Sequence, residues 1–341
     1  MSGLASPPLV TFALVTYNQV AYVRAAVEAA FGQEYPRLQI VISDDCSTDG
    51  TFDVLKDLVG GYDGPHEVIL RQTAANRGSL LHVKEVAAVA LGDLIVLAAG
   101  DDVSSAKRTR VLANAWQETG AWAMCSRYDL IDESGALISR SVSAPVLQSR
   151  TFRRYLYEED GPIKVVHGCT SAYAREVFDC LQNSSDDYIL AEDGALTVLV
   201  NLMGKKIVHL EDSLVGYRVS RDSLTNSRRT RQPTLLELRS DEERIARFAR
   251  AQANRCRLFL RMNEYLGPLQ VRRLQVENVE RDLAYEQVKA DWWTYGFWRR
   301  LHCVATYPWS SWMVGRLFGL KIFLSVKWIV RRIPRGSVPM S

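Results

Sequence analysis

The stretch Leu94-Ile95-Val96-Leu97-Ala98-Ala99-Gly100-Asp101-Asp102 reads as a strongly apolar strand that delivers two adjacent carboxylates to a turn. A short unbroken apolar run suits a strand buried on both faces, the usual setting in a parallel sheet. Two earlier runs share this character. Leu9 to Val15 stops at the turn cluster Thr16-Tyr17-Asn18. Leu38 to Ser43 runs into Asp44-Asp45-Cys46-Ser47-Thr48-Asp49-Gly50-Thr51, a segment crowded with turn and capping residues. Between them Val20, Val23, Val27 and Phe31 recur at helical spacing until Tyr35-Pro36 ends the element. A helix reaching Leu58, a strand near Glu67 to Arg71 and a helix around Leu80 to Leu91 continue the alternation. Strand-helix-strand order demands right-handed crossovers and a parallel sheet. Ligands of such sheets bind beyond the carboxyl ends of the strands, so Tyr17, Asp44 and Asp101-Asp102 are expected to converge on one edge.

Farther along, the spacing predicts a helix near Lys107 to Glu118, a strand at Trp122 to Ser126, a helix from Asp193 to Met203 and a strand around Lys206 to Leu210. Regular structure is also expected from Ala174 to Leu181. Periodicity weakens between Asp132 and Val165, a stretch expected to be loop-rich and acceptor-facing. From Asp241 to Leu266 a helix places Ile245, Phe248, Cys256 and Phe259 on one face, with Arg247, Arg250, Arg257 and Arg261 on a neighbouring one. That basic stripe is either a solvated face or a surface for anionic lipid or a diphosphate. The organisation expected is an α/β domain carrying the convergent carboxylates over 1–225, a helical extension over 226–290 and an aromatic, basic helical region over 291–341.

The last region interleaves Trp292, Trp293, Trp298, Trp309, Trp312 and Trp328 with Arg299, Arg300, Arg316, Lys321, Lys327, Arg331 and Arg332, a mixture suited to a membrane interface. Trp312 to Val330 has spanning length, but central cations cost ~2.5–3.5 kcal/mol each on insertion, which disfavours a span. Helices lying on the cytoplasmic leaflet are expected; packing on the catalytic domain or in a homo-oligomer is the other use. The 341 residues, 47% apolar and 24% charged with a net charge of +3, match an ordinary globular protein with a sizeable core. Six scattered cysteines without a C-x-x-C pair read as reduced thiols, and Met1 to Pro8 lacks a signal-peptide pattern, so a cytoplasmic setting is expected. No nucleic-acid partner is expected.

Three chemical needs of sugar transfer from a nucleoside diphosphate find candidates. Asp44 offers an acceptor for a pyrimidine imide N–H, and Tyr17 a ring for stacking. Asp101-Asp102 offers hard oxygens to Mg²⁺ or Mn²⁺, although the pair also suits a loop capping the helix that begins near Ser105. Glu192-Asp193 opens a helix and supplies a base for an acceptor hydroxyl, or simply an N-cap. A helix N-terminus favours negative charge and weakens a carboxylate as a base. No G-x-G-x-x-G follows the first strand, which argues against a dinucleotide-dependent dehydrogenase.

Together, Thr16-Tyr17-Asn18, the segment from Ser43 to Thr51, Asn76-Arg77-Gly78, Gly92-Asp93, Ala99-Gly100-Asp101-Asp102 and Glu192-Asp193 closely resemble family-2 glycosyltransferases of the GT-A fold, over roughly Pro8 to Ser223. The resemblance extends to bacterial cell-surface polysaccharide and O-antigen transferases. It implies an α/β, Rossmann-like, mostly parallel sheet flanked by helices, with a C-terminal helical region. It further implies an inverting, metal-dependent enzyme using a UDP- or dTDP-sugar donor and a glycan or polyprenyl-diphosphate-linked acceptor.

By the same resemblance Asp44 binds the base, Tyr17 stacks, Asp101 meets the ribose, Asp102 ligates Mg²⁺ or Mn²⁺ and Asp193 is the catalytic base, with Glu192 beside it. Val15, Tyr17, Asp44, Asp101, Lys84 and Arg218 make up the expected donor-binding set. Three positions depart from the common pattern. Gly100 stands where the first acid of Asp-x-Asp would be, and Val83-Lys84 stands where many relatives carry Arg-Asn, leaving Lys84 or His82 for the diphosphate. Ser220 replaces a metal-ligating histidine, leaving charge neutralisation to Arg218 and Arg221. The bare Gly100 keeps a different class open, a catalytically silent nucleotide-sugar-binding or scaffold protein of the same fold.

Overall fold

The three apolar runs form β1 (Val10–Thr16), β2 (Leu38–Asp44) and β4 (Leu94–Ala99), with β3 (Glu67–Gln72) outside β2. They pair in parallel in the order β3-β2-β1-β4. Every residue of β2 is buried, and β1 and β4 are half-exposed only at Val15 and Ala99. Burial on both faces explains why these strands carry no polar alternation. Register sets their carboxyl ends level: Thr16 lies opposite Asp44, and Val15 lies between Ser43 and Ala99.

Helices α1 (Val23–Phe31), α2 (Thr51–Gly60) and α3 (Ser79–Val89) make the crossovers. Val23, Ala26, Val27 and Ala30 bury one face of α1, while Val20 is exposed and precedes the helix, because the carbonyl of Gln19 accepts the N–H groups of Tyr22 and Val23. Beyond β4 the sheet becomes mixed. The elements there are β5 (Val103–Ser104), α4 (Arg108–Thr119), β6 (Ala123–Ile131), β7 (Leu137–Val142), β8 (Ser171–Ala174), α5 (Arg175–Asp179), α6 (Glu192–Leu202) and β9 (Ile207–Arg218). β8 joins β4 to β6 antiparallel, β9 runs parallel to β6, and β5 closes the row against β9. The stretch expected to be loop-rich from Asp132 contains β7, an exposed strand paired to β6.

The computed structural model describes residues 6–143, 152–181, 188–189, 191–219, 235–307, 310–314, 316–318 and 323. Two compact units emerge: Met1–Ser220 with Leu258–Val279, and Arg221–Arg257 with Glu280–Ser341. Part of the segment read as a helical extension thus belongs to the first unit, where Arg273 pairs with Asp160, and Gln275 and Asn278 bond carbonyls of 153–156.

The long helix α7 (Leu235–Leu266) corrects the expected apolar face. Cys256 and Phe259 are buried as expected, but Phe248 is exposed and Ile245 only half-buried, and Glu242, Ala246, Ala249 and Ala253 are buried in that stretch instead. From Ala246 to Ala253 small side chains make the buried face, so the bulkier Phe248 is no guide to it. Helices α8 (Val276–Asp291), α9 (Phe297–Thr306) and α10 (Ser311–Val314) follow. In the second unit Trp292, Cys303 and Met313 form a small core with Trp293, Tyr307 and Trp312 around it. The charge of Arg316 is matched there by Glu242, 1% exposed, through bonds of 2.8 and 2.9 Å. Among the described residues no helix is long and apolar enough to cross a membrane. Ser220, Arg221, Trp309, Lys321, Lys327, Trp328, Arg331 and Arg332 lie outside the described residues.

Candidate active site

The level strand ends bring Tyr17, Asp44, Asp45 and Gly100-Asp101-Asp102 to one edge of the sheet. Tyr17 is 46% exposed, a ring available to a ligand, whereas Val15 is half-buried and its carbonyl accepts the N–H of Gly100. Asp44 is fully buried and heavily engaged. Its Oδ1 accepts the hydroxyls of Thr16 at 3.0 Å and Ser47 at 2.5 Å, and its Oδ2 accepts Ser47 N–H at 2.8 Å and the Gln72 amide at 2.9 Å. Four donors fill the lone-pair sites of one carboxylate. Asp45 is likewise committed, to the Thr73 hydroxyl and the N–H groups of Arg77 and Gly78. Both acids tie loops to the sheet.

Asp102 is different. Its Oδ1 accepts the N–H of Arg218 at 2.9 Å, but its Oδ2 is buried and has no hydrogen-bond partner among the described residues. Burial, then the neighbouring Asp101, pushes this carboxyl up to about 8. Asp101 is raised too, chiefly by burial. An orphaned buried carboxylate oxygen beside a second carboxylate is an unfavourable arrangement that a hard divalent cation would relieve, so the residues fit Mg²⁺ or Mn²⁺.

Arg218 is spent on architecture. Its Nε donates to the carbonyl of Asp101, its Nη1 to the carbonyls of Asp132 and Glu133, and its guanidinium lies 4.9 Å from the centre of the Tyr22 ring. His82 is buried, with Nε2 2.6 Å from Ser43 Oγ, and burial lowers its pKa. Lys84 is half-buried on α3.

Glu192 and Asp193 open α6 next to the turn at Gly168–Thr170 that leads into β8. Asp193 accepts the N–H of Gly194 at 2.6 Å through Oδ1 and that of Gly168 at 3.4 Å through Oδ2. Glu192 packs so closely on Gly168 that a Cβ there would lie 2.6 Å from its Oε1. Burial, then the charge of Asp193, pushes Glu192 up to about 7.

The segment His167-Gly168-Cys169 was not singled out in the sequence, yet it links the two acidic centres. His167 stacks on Tyr128 with ring centres 5.3 Å apart, its Nδ1 lies 3.3 Å from Cys169 Sγ, and burial lowers its pKa. Cys169 faces Asp102; removal from water, then that carboxylate, raises its thiol pKa well above the ordinary value. Arg108 fastens the segment down. Wholly buried, it donates to the carbonyls of Leu97, Cys169 and Ser171 and to the Ser104 hydroxyl. Burial lowers its pKa to about 10, which leaves it charged at neutral pH. A cation at the first position of a helix, where the free N–H groups disfavour positive charge, is the one signal that the sequence offers.

Comparison with known proteins places this geometry. A mannosyltransferase from Pyrobaculum calidifontis, solved in complex with GDP-Man and Mn²⁺, superposes with a TM-score of 0.51 at 18% identity, covering 96% of this chain and 89% of that one. The expected GT-A architecture is therefore the observed one. An uncharacterized protein of Mycobacterium tuberculosis is 37% identical over 90 residues, 26% of this chain and 25% of that protein, so the match spans about a quarter of the relative. A protein of Bacillus subtilis named as a teichuronic acid biosynthesis glycosyltransferase is 25% identical over 138 residues, 40% of this chain and 54% of that one. The profile of glycosyl transferase family 2 matches residues 11–182, half of the sequence, and with the strand ends and carboxylates in place the chain belongs to that family.

Proposed function

We propose that this chain is an inverting, hexosyltransferase-type enzyme. It moves a sugar from a UDP- or dTDP-sugar to a hydroxyl of a glycan or polyprenyl-diphosphate-linked acceptor in cell-surface polysaccharide synthesis. The observation that carries the reading is the buried Oδ2 of Asp102 at the carboxyl edge of the sheet, which has no partner among the described residues. Asp102 would hold Mg²⁺ or Mn²⁺ there, and the bound ion supplies Lewis-acid neutralisation of the departing diphosphate. Tyr17 stacks on the base and Asp101 takes the ribose. Val15 and Asp44 shape the base pocket, the latter by ordering the turn to Ser47. Lys84 serves the diphosphate, and Arg218 serves it indirectly by fixing Asp101-Asp102.

Asp193 and Glu192 take the acceptor proton as a coupled pair. Asp193 is engaged by two N–H groups, those of Gly194 and Gly168, whereas Glu192, pushed up to about 7, is a base matched to neutral pH. Attack from the face opposite the diphosphate inverts the anomeric carbon. The test is metal-dependent hydrolysis: with Mn²⁺ and UDP- or dTDP-sugars, the full chain should release nucleoside diphosphate slowly. Release no faster than from Asp102→Ala, across a panel of such donors, would sink the reading.

The membrane setting is part of this proposal. Trp298, 78% exposed, Phe297, Leu301 and Phe318 stand out from the second unit with Arg299 among them, a composition suited to the lipid interface. The teichuronic acid relative supports a cell-surface pathway. Co-sedimentation with anionic vesicles should fall in the Trp298→Ser, Phe318→Ser variant; unchanged partitioning, or loss of a dimer instead, would reject the cytoplasmic-leaflet anchor.

A further inference from the structure

Position 100 precedes the Asp101-Asp102 pair without a side chain, and the reason lies across the sheet edge. A Cβ on Gly100 would lie 2.5 Å from Gln19 Oε1 and 2.6 Å from Thr16 Cγ2. Real Cβ atoms do not approach other atoms so closely, so a side chain at 100 must displace one or both. The main chain of Gln19 is held on both sides. Its N–H donates to Thr51 Oγ1 at 2.8 Å, and its carbonyl accepts the N–H groups of Tyr22 and Val23, each at 2.9 Å. Its Oε1 accepts the N–H of Tyr17 at 3.3 Å, and its side chain also hydrogen-bonds the carboxylate of Asp101. A carboxamide carries both an acceptor and donors, so one group reaches a main-chain N–H on one side and a carboxylate on the other. An acid at position 19 would lack the donor and repel Asp101.

We propose that Gln19 is a positioning residue of the donor site, spanning from the Tyr17 loop to Asp101 over the bare Cα of Gly100, with glycine at 100 as its steric counterpart. The inference rests on the donor reading given above, because Gln19 acts through Asp101. It also answers the departure at Gly100. The room for a side chain there is filled by the Gln19 carboxamide and the Thr16 methyl, so the missing acid does not mark a silent site.

The test has a binding arm and a stability arm, both on the full chain. UDP with Mn²⁺ is the first probe, dTDP its replacement if UDP does not bind, and inorganic pyrophosphate with Mn²⁺ the control without a ribose. Gln19→Ala should weaken nucleotide binding about tenfold, the worth of one lost positioning contact, and leave pyrophosphate binding unchanged. In an Asp101→Ala background the same change should cost less than about threefold, because coupled residues are not additive. Equal losses in both backgrounds, or none, would overturn the proposal. Failure of the wild-type chain to bind either nucleotide would instead sink the donor reading, and this inference with it. In the stability arm Gly100→Ala should lower the melting midpoint by about 3 °C or more, and by less when Gln19 is already Ala. Identical shifts in the two backgrounds would show that Gln19 and Gly100 are not a pair.

Discussion

Asp44-Asp45 and Asp101-Asp102 are spelled alike and follow strands of the same parallel sheet, but the fold treats them in opposite ways. Every carboxylate oxygen of the first pair accepts a hydrogen bond, the donors being Thr16, Ser47, Gln72, Thr73, Arg77 and Gly78. In the second, Asp102 keeps one buried oxygen with no partner among the described residues and is pushed up to about 8. A carboxylate whose acceptor sites are filled stabilises the fold; one left short of partners costs stability until a ligand arrives. Adjacent acids in a sequence therefore do not reveal which pair is architecture and which is chemistry. Counting their partners does.

The largest effect should separate the pairs directly. Asp102→Ala is expected to lower donor turnover by about 10³-fold or more, the scale of a lost charge-stabilising group. Its unfolding free energy should hold or rise, because a poorly partnered buried carboxyl is gone. Asp44→Ala should instead lose about 3–5 kcal/mol of stability, since it strands several buried donors. Denaturant unfolding and nucleotide release measured on both variants decide the matter. Similar stability losses from the two would break the comparison.

Arg108→Met comes next. It removes the donor that joins the carbonyls of Leu97, Cys169 and Ser171, and should cost about 3 kcal/mol with three carbonyls left short. Because Asp193 is bound to Gly168 in the same turn, turnover should fall further than nucleotide binding does. Equal falls in both would place Arg108 on the donor side only.

A pH profile sharpens the contrast from the acceptor side. Glu192 is raised from its ordinary 4.5 to about 7, and it accepts a proton only when ionised, so kcat/KM should rise with pH and level off above about 7. Asp193→Asn removes a charge that holds Glu192 up, and should shift whatever limb remains to lower pH. The stability linkage has the opposite sense. Between 4.5 and about 7 the folded state binds more protons than the unfolded one, so this group makes stability fall as pH rises through that window. Glu192→Gln should remove that share of the fall. A profile flat from pH 5 to 8 would place the base elsewhere.

How much of this was legible depends on burial. β1, β2 and β4 bury both faces, so apolar residues run unbroken and their ends could be read closely. β6 and β9 extend to Ile131 and Arg218, well past the short strands expected at Trp122 to Ser126 and Lys206 to Leu210, because their later halves mix buried and half-exposed positions and their ladder is irregular near Cys125 and Arg127. The acids themselves were legible from their places after strands and before a helix. Their partners were not. Arg218 N–H reaches Asp102 across 116 positions, and Arg108 reaches Cys169 across 61, pairings that no local pattern records. Gly100 looked like a defect in a motif because Gln19, 81 positions away, is not adjacent to it in sequence.

The smallest expected effect tests whether the Asp44-Asp45 side is purely architectural. Cys46 follows that pair with φ at 61°, in the left-handed region that costs a residue with a Cβ about 1–2 kcal/mol. Among the described residues its thiol makes only a long 3.9 Å approach to the carbonyl of Ala74, so little is lost by removing it. Glycine adopts this conformation freely but loses about 0.5–1 kcal/mol more chain entropy on folding. The difference leaves Cys46→Gly more stable by up to about 1 kcal/mol, or about 2 °C in melting midpoint for a chain of this size. Nucleotide binding should stay within about twofold, a few tenths of a kcal/mol, if the loop is held by Asp44 and Asp45 rather than by the residue between Asp45 and Ser47. A variant that melts later but binds UDP far more weakly would make Cys46 a ligand contact and move part of this side from architecture to chemistry.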